Sequence, residues 1–141
     1  MSRKGEPQIC DFGAAKIAEE RTKNMTASPA VGDLDTLRYL APELIEGGNV
    51  PPTTNSDAYS FAMLMLECIA EKIPFSDCPP DIEAIRDRIL GGRCPPRPDG
   101  PDPRVRVPIG LWSLMLRCWD TKCNHRPTME QIHSFLLPQP R

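Results

Sequence analysis

The 141-residue sequence has no hydrophobic run long enough to cross a bilayer. Its most apolar stretch, Ala58 to Leu66, is nine residues and meets Glu67, whereas a spanning helix needs ~20. There is no surplus of positive charge either. Lys and Arg number 17 against 19 Asp and Glu, a formal net charge of −2, which excludes the electrostatic footprint of a general nucleic-acid binder. The basic start Met1-Ser2-Arg3-Lys4-Gly5 runs into Glu6-Pro7-Gln8 rather than an apolar segment, so it does not read as a secretory leader. Ser2 stands where N-myristoylation requires glycine. No internal repeat is visible. These absences predict a soluble, cytoplasmic protein with no membrane and no nucleic acid among its partners.

At this length the chain supports one core, not two. What is abundant is proline: 17 residues, about 12% against roughly 5% in average proteins, which predicts rigid loops between short elements. The six cysteines, Cys10, Cys68, Cys78, Cys94, Cys118 and Cys123, read as free thiols, since nothing directs the chain to an oxidising compartment. Cys118, Cys123, His125 and His133 have a spacing that matches none of the common zinc patterns. Metal binding there is therefore set aside in favour of buried or loop thiols.

Along the chain, Pro7 to Cys10 reads as a short extended piece leading to Asp11-Phe12-Gly13, and Ala14 to Leu40 as one long loop. Ala41 to Gly48 predicts a helix of one or two turns, with Pro42 near its start and glycine closing it. Ser56 and Asp57 offer an N-cap and a first-turn acid to a helix running to about Glu71. That helix is apolar nearly all round, the pattern of a central core helix. A third helix spans Asp81 to Leu90, with Ile82, Ile85 and Ile89 on one narrow stripe and Gly91-Gly92 as the stop. The loop from Cys94 to Pro108 holds six prolines. A fourth helix, Ile109 to Trp119, is expected to turn Trp112, Leu116 and Trp119 to one side. Thr128 and Gln131 make a capping box for a fifth, in which Met129, Ile132 and Leu136 align before Pro138. The sum is mainly α: about five helices around a buried central one, a long loop and little sheet.

Four blocks occur in order: Asp11-Phe12-Gly13, Thr36-Leu37-Arg38-Tyr39-Leu40-Ala41-Pro42-Glu43, Ser56-Asp57-Ala58-Tyr59-Ser60-Phe61, and Arg117-Cys118-Trp119 with His125-Arg126-Pro127-Thr128. Together they resemble the C-terminal lobe of a eukaryotic protein kinase, over nearly the whole of 1–141. The wording is most similar to tyrosine-kinase-like serine/threonine kinases. The resemblance implies transfer of phosphate from ATP to protein Ser or Thr, with ATP and Mg²⁺ as cofactors. Such transfer is catalysed by positioning and charge neutralisation, and Asp11 matches the Mg²⁺ ligand, Phe12 the packing switch and Gly13 the pivot. Thr36 matches the residue that seats the substrate hydroxyl. Glu43 and Arg126 match a buried ion bridge, Asp57 an acid that accepts hydrogen bonds from the catalytic loop, and Trp119 a further structural position.

Two positions depart from the family wording: Asp35 and Ala62 stand where glycine is usual. More decisive, only ten residues precede Asp11. They hold no glycine-rich loop, strand lysine, helix glutamate or His-Arg-Asp loop. Lys16 and Lys23 follow Asp11 and read as solvated charges. Thr22, Thr26, Ser28 and Thr36 read as polar loop residues, because the arginine that would hold a phosphate there belongs to the His-Arg-Asp loop. The expectation is a kinase-lobe fragment without activity by itself. The alternatives are a non-catalytic module that binds a protein substrate or kinase partner through the surface around Asp81 to Leu90 and the proline-rich loop, or a truncated product of a longer kinase gene.

Overall fold

The apolar segment after Pro51-Pro52 forms one long helix, and other described elements pack on one side of it. In the computed structural model, residues 5, 8–9, 34–47, 50–98 and 106–137 are described. Six α-helices are found among them: α1 (Leu34–Leu37), α2 (Pro42–Ile45), α3 (Thr54–Ala70), α4 (Ile82–Leu90), α5 (Ile109–Cys118) and α6 (Met129–Leu136), with a 3₁₀ turn at Cys123–His125. No strand occurs among the described residues. The extended piece expected at Pro7 to Cys10 lies outside them apart from Gln8 and Ile9, which carry no regular structure. The long loop expected from Ala14 is described only from 34 onward, and there it contains the single turn α1.

Helix α3 is the central element, packed against α5, α6 and the 3₁₀ turn, while α1 and α2 lean on α4. It starts earlier than its sequence pattern suggests. Thr53, not Ser56, is the N-cap: its side chain accepts from the Ser56 backbone N–H at 3.2 Å, and its own N–H donates to Ser56 Oγ at 2.8 Å. Ser56 thus closes a capping box from inside the helix. At the other end Glu71 takes the left-handed conformation (φ 54°) usually given to glycine.

One face of α3, formed by Ala58, Tyr59, Ala62, Met63 and Leu66, is buried, and this face carries the core. Leu64 on the other side is 49% exposed. The helix is therefore covered on one side among the described residues, not all round. Helix α4 follows its pattern: Asp81 caps it through the Ala84 N–H, Ile85 and Ile89 are buried, and Gly91 ends it. Gly92 follows at φ 67°, where an added Cβ would stand 2.9 Å from Thr121 Cγ2.

Helix α5 turns a different face inward from the one expected. Leu114, Met115 and Cys118 are buried and Leu116 is exposed, while Trp119 caps the end and is itself buried. Trp112 meets Trp119 edge to face, with ring centroids 5.6 Å apart. Because α5 is apolar on nearly every side, periodicity alone cannot select the stripe; the position of α3 does. Helix α6 has the expected Thr128–Gln131 capping box, but only Ile132 of its apolar stripe is buried.

Candidate functional site

The site grows from the segment Leu34 to Ile45, which carries α1 and α2 and lies across α3 and α4. It is held mainly through its side chains. Arg38 is a buried cation, and its Nη1 donates to the Pro74 carbonyl at 2.6 Å. Tyr39 donates its phenol to Glu67 Oε2 at 2.6 Å. Burial and that carboxylate push the phenol's pKa well above its ordinary value. Ser60, from the middle of α3, donates Oγ–H to the Tyr39 carbonyl at 2.7 Å, and the Ser56 carbonyl lies 3.2 Å from the same oxygen. Thus the second and third residues of the Leu37-Arg38-Tyr39 run reach the loop after α3 and α3 itself.

The strongest latch is Glu43 with Arg126. The guanidinium meets the carboxylate through two bonds, Nη1 to Oε1 at 2.7 Å and Nη2 to Oε2 at 2.8 Å. Nη1 also reaches the Asn55 carbonyl at 3.1 Å and Nε the Asp120 carbonyl at 2.8 Å. The Arg126 side chain is fully buried and stands over the Tyr59 ring, 5.1 Å from its centroid. A planar fork with donors on both edges suits this position, since the point charge of a lysine could not form the parallel two-bond pair with the carboxylate. One residue therefore ties α2, the start of α3 and the turn after α5.

Thr36 sits on α1, exposed at the outer edge of this locked segment, and its carbonyl accepts from the Tyr39 N–H at 3.1 Å. Asp57 is exposed in the first turn of α3, and partial desolvation raises its carboxyl pKa. No side-chain partner of Asp57 is found among the described residues. Trp119 is buried, and its Nε1 has no hydrogen-bond partner among the described residues. Asp11, Phe12 and Gly13 lie outside the described residues, as do Lys16, Lys23, Thr22, Thr26 and Ser28. The structure thus brings Glu43 and Arg126 together and leaves Thr36, Asp57 and Trp119 at separate places around them. Arg38, Tyr39, Ser60 and Glu67 were not singled out from sequence as functional. Arg38 and Ser60 act on backbone carbonyls, which leave no residue pattern to find.

Among the described residues, no group of three His, Cys, Asp or Glu side chains is placed to hold an ion. Of the cysteine and histidine set, Cys118 is in the core, and burial pushes its thiol up to about 11, far from the thiolate a metal needs. Asp11, the residue that the resemblance assigns to Mg²⁺, is outside this region. No helix of the described residues is long and apolar enough to span a membrane.

The family described as "Protein tyrosine and serine/threonine kinase" matches residues 1–136. Among curated proteins, the chain is 33% identical over 134 residues to a mitogen-activated protein kinase kinase kinase 7-like protein of Drosophila melanogaster, covering 94% of this chain and 31% of that protein. It is 33% identical over 128 residues to receptor-interacting serine/threonine-protein kinase 4 of Mus musculus, covering 90% of the chain and 16% of the relative. A third relative, the kinase and exchange factor for Rac B of Dictyostelium discoideum, is 33% identical over 129 residues and matched over 11% of its length. The chain spans less than a third of each of these relatives. With a helical fold built on one central helix and a family match over almost its whole length, the chain belongs to the protein tyrosine and serine/threonine kinases.

Proposed function

We propose that this chain carries the substrate-holding half of a serine/threonine kinase of the tyrosine-kinase-like group, and that transfer of phosphate from ATP requires the half that precedes Asp11 in such kinases. The observation that carries this reading is the latched segment from Leu34 to Ile45. Glu43 and Arg126 fix its end, Arg38 and Tyr39 fix its middle, and Thr36 is left exposed at its edge. Rigid placement of a substrate-seating residue is what phosphoryl transfer asks of this side of a kinase, since positioning supplies much of the rate. Thr36 is the seat for the substrate hydroxyl. Asp11 is the residue that holds Mg²⁺ once a nucleotide-binding half is present.

The 141 residues by themselves supply neither the base nor the lysine that such transfer uses. Fusing the chain, from Asp11 onward, behind the first half of the mouse relative's kinase domain tests the assignment. The fusion is expected to phosphorylate a generic Ser/Thr substrate, and Asp11→Asn and Thr36→Ala are each expected to lower that activity by at least about a hundredfold, the size of a lost transition-state contact. A fusion that melts cooperatively yet stays inactive contradicts the proposal.

A further inference from the structure

A groove of about 440 Å³ runs between the end of α3, the loop that follows it and the proline-rich loop. Its floor is apolar: Leu66 and Phe75 are buried, and Ile73 is 45% exposed beside them. Its far wall is Pro95, Pro96 and Pro98. Two cations, Lys72 and Arg97, line it, and neither forms an ion pair among the described residues. Among the described lining residues the single acid, Asp77, is already paired with Arg88 at 2.7 Å.

The walls are set before any ligand arrives. Arg38 holds the Pro74 carbonyl, and Arg97 Nη2 donates to the Val107 carbonyl at 2.7 Å, which pins the proline wall. Phe75 is buried in the left-handed region at φ 57°, a conformation that costs a non-glycine residue energy and persists only where its surroundings fix it. Prolines and fixed side chains lose little freedom on binding, which removes part of the cost of association. An apolar ligand alone would dehydrate two cations without compensation. A bare anion would leave the apolar floor wet.

We propose that this groove docks an extended peptide of a partner protein in which apolar side chains are flanked by carboxylates, the apolar residues lying on Leu66, Ile73 and Phe75 and the acids meeting Lys72 and Arg97. This goes beyond phosphoryl transfer and uses neither Asp11 nor Thr36, so a peptide-binding assay and a phosphate-transfer assay fail independently.

The test uses the full 141-residue chain and a fluorescein-labelled peptide, Glu-Asp-Leu-Pro-Leu-Glu-Asp, read by polarisation against its counterpart with lysine in place of each acid. The acidic peptide binds more tightly than the lysine one. Lys72→Glu, on an exposed side chain, weakens it about fivefold, and Ile73→Asp weakens it at least as much while the melting profile stays native. Equal affinity for the two peptides overturns the proposal. So does undiminished binding of the acidic peptide to Lys72→Glu. Sedimentation of the unliganded chain as a dimer that Ile73→Asp dissolves would assign the groove to a second copy and overturn it as well.

Discussion

Arg126 is a charge with no access to water, and every bond it makes substitutes for hydration it has lost. Glu43→Ala removes its only carboxylate among the described residues while leaving the Asn55 and Asp120 carbonyls in place. Leaving a buried cation unpaired typically costs about 3–5 kcal/mol, and the partial exposure of Glu43 argues for the lower end. The urea midpoint of Glu43→Ala is therefore expected to fall by the equivalent of about 3 kcal/mol; a loss below about 1 kcal/mol would show that the pair is solvated in solution. These two residues are 83 positions apart, and nothing local in composition or periodicity joins them. Their pairing was legible only through the family wording of the blocks around them. Arg38 shows the complementary limit: it is 4% exposed because a carbonyl 36 positions away receives it, and a carbonyl leaves no residue pattern. Asp57 shows a third kind. Its position on α3 was legible, but the partner that the resemblance implies is not among the described residues.

Among the elements, the short-range signals translated well because caps and stops are local chemistry. Asp81, Gly91 and the Thr128–Gln131 box stand where the residues themselves require them. The N-cap of α3 lies three residues before Ser56 because Thr53 and Ser56 are both capping residues, and the reciprocal pair of bonds decides which lies outside the helix. Thr53→Ala is expected to destabilise the chain by about 1 kcal/mol, read as a shift in the urea midpoint with unchanged slope. Ser56→Ala, which removes the reciprocal acceptor and the Oγ–H bond to the Thr53 carbonyl, costs a similar amount. If Ser56→Ala alone were destabilising, the cap would lie at Ser56 after all. The inward faces of α5 and α6 were less legible for a different reason. An all-apolar helix such as α5 carries no phase information, and the aligned apolar residues of α6 bury only Ile132. Amphipathic α4, with polar residues on most of its surface, left only one choice.

For the molecule as a whole, the fold keeps apolar surface in contact with water. Leu64, Ile109, Phe135 and Leu137 are each between 48% and 75% exposed, on two core helices, α6 and the residue after it. A chain of this size has a small margin of stability to begin with, and apolar faces of this kind are where further protein packs. What such a chain does chemically is then a matter of which groups it contains. The described residues provide a latched segment from Leu34 to Ile45 and no group of three His, Cys, Asp or Glu side chains placed to hold an ion. Transfer of labelled phosphate from Mg²⁺-ATP to a generic protein substrate, measured for the purified 141-residue chain beside its Asp11→Asn variant, addresses this directly. The account predicts incorporation that is no greater for the native chain than for the variant. Incorporation by the native chain that Asp11→Asn abolishes would show a complete catalytic site within these residues and contradict the account.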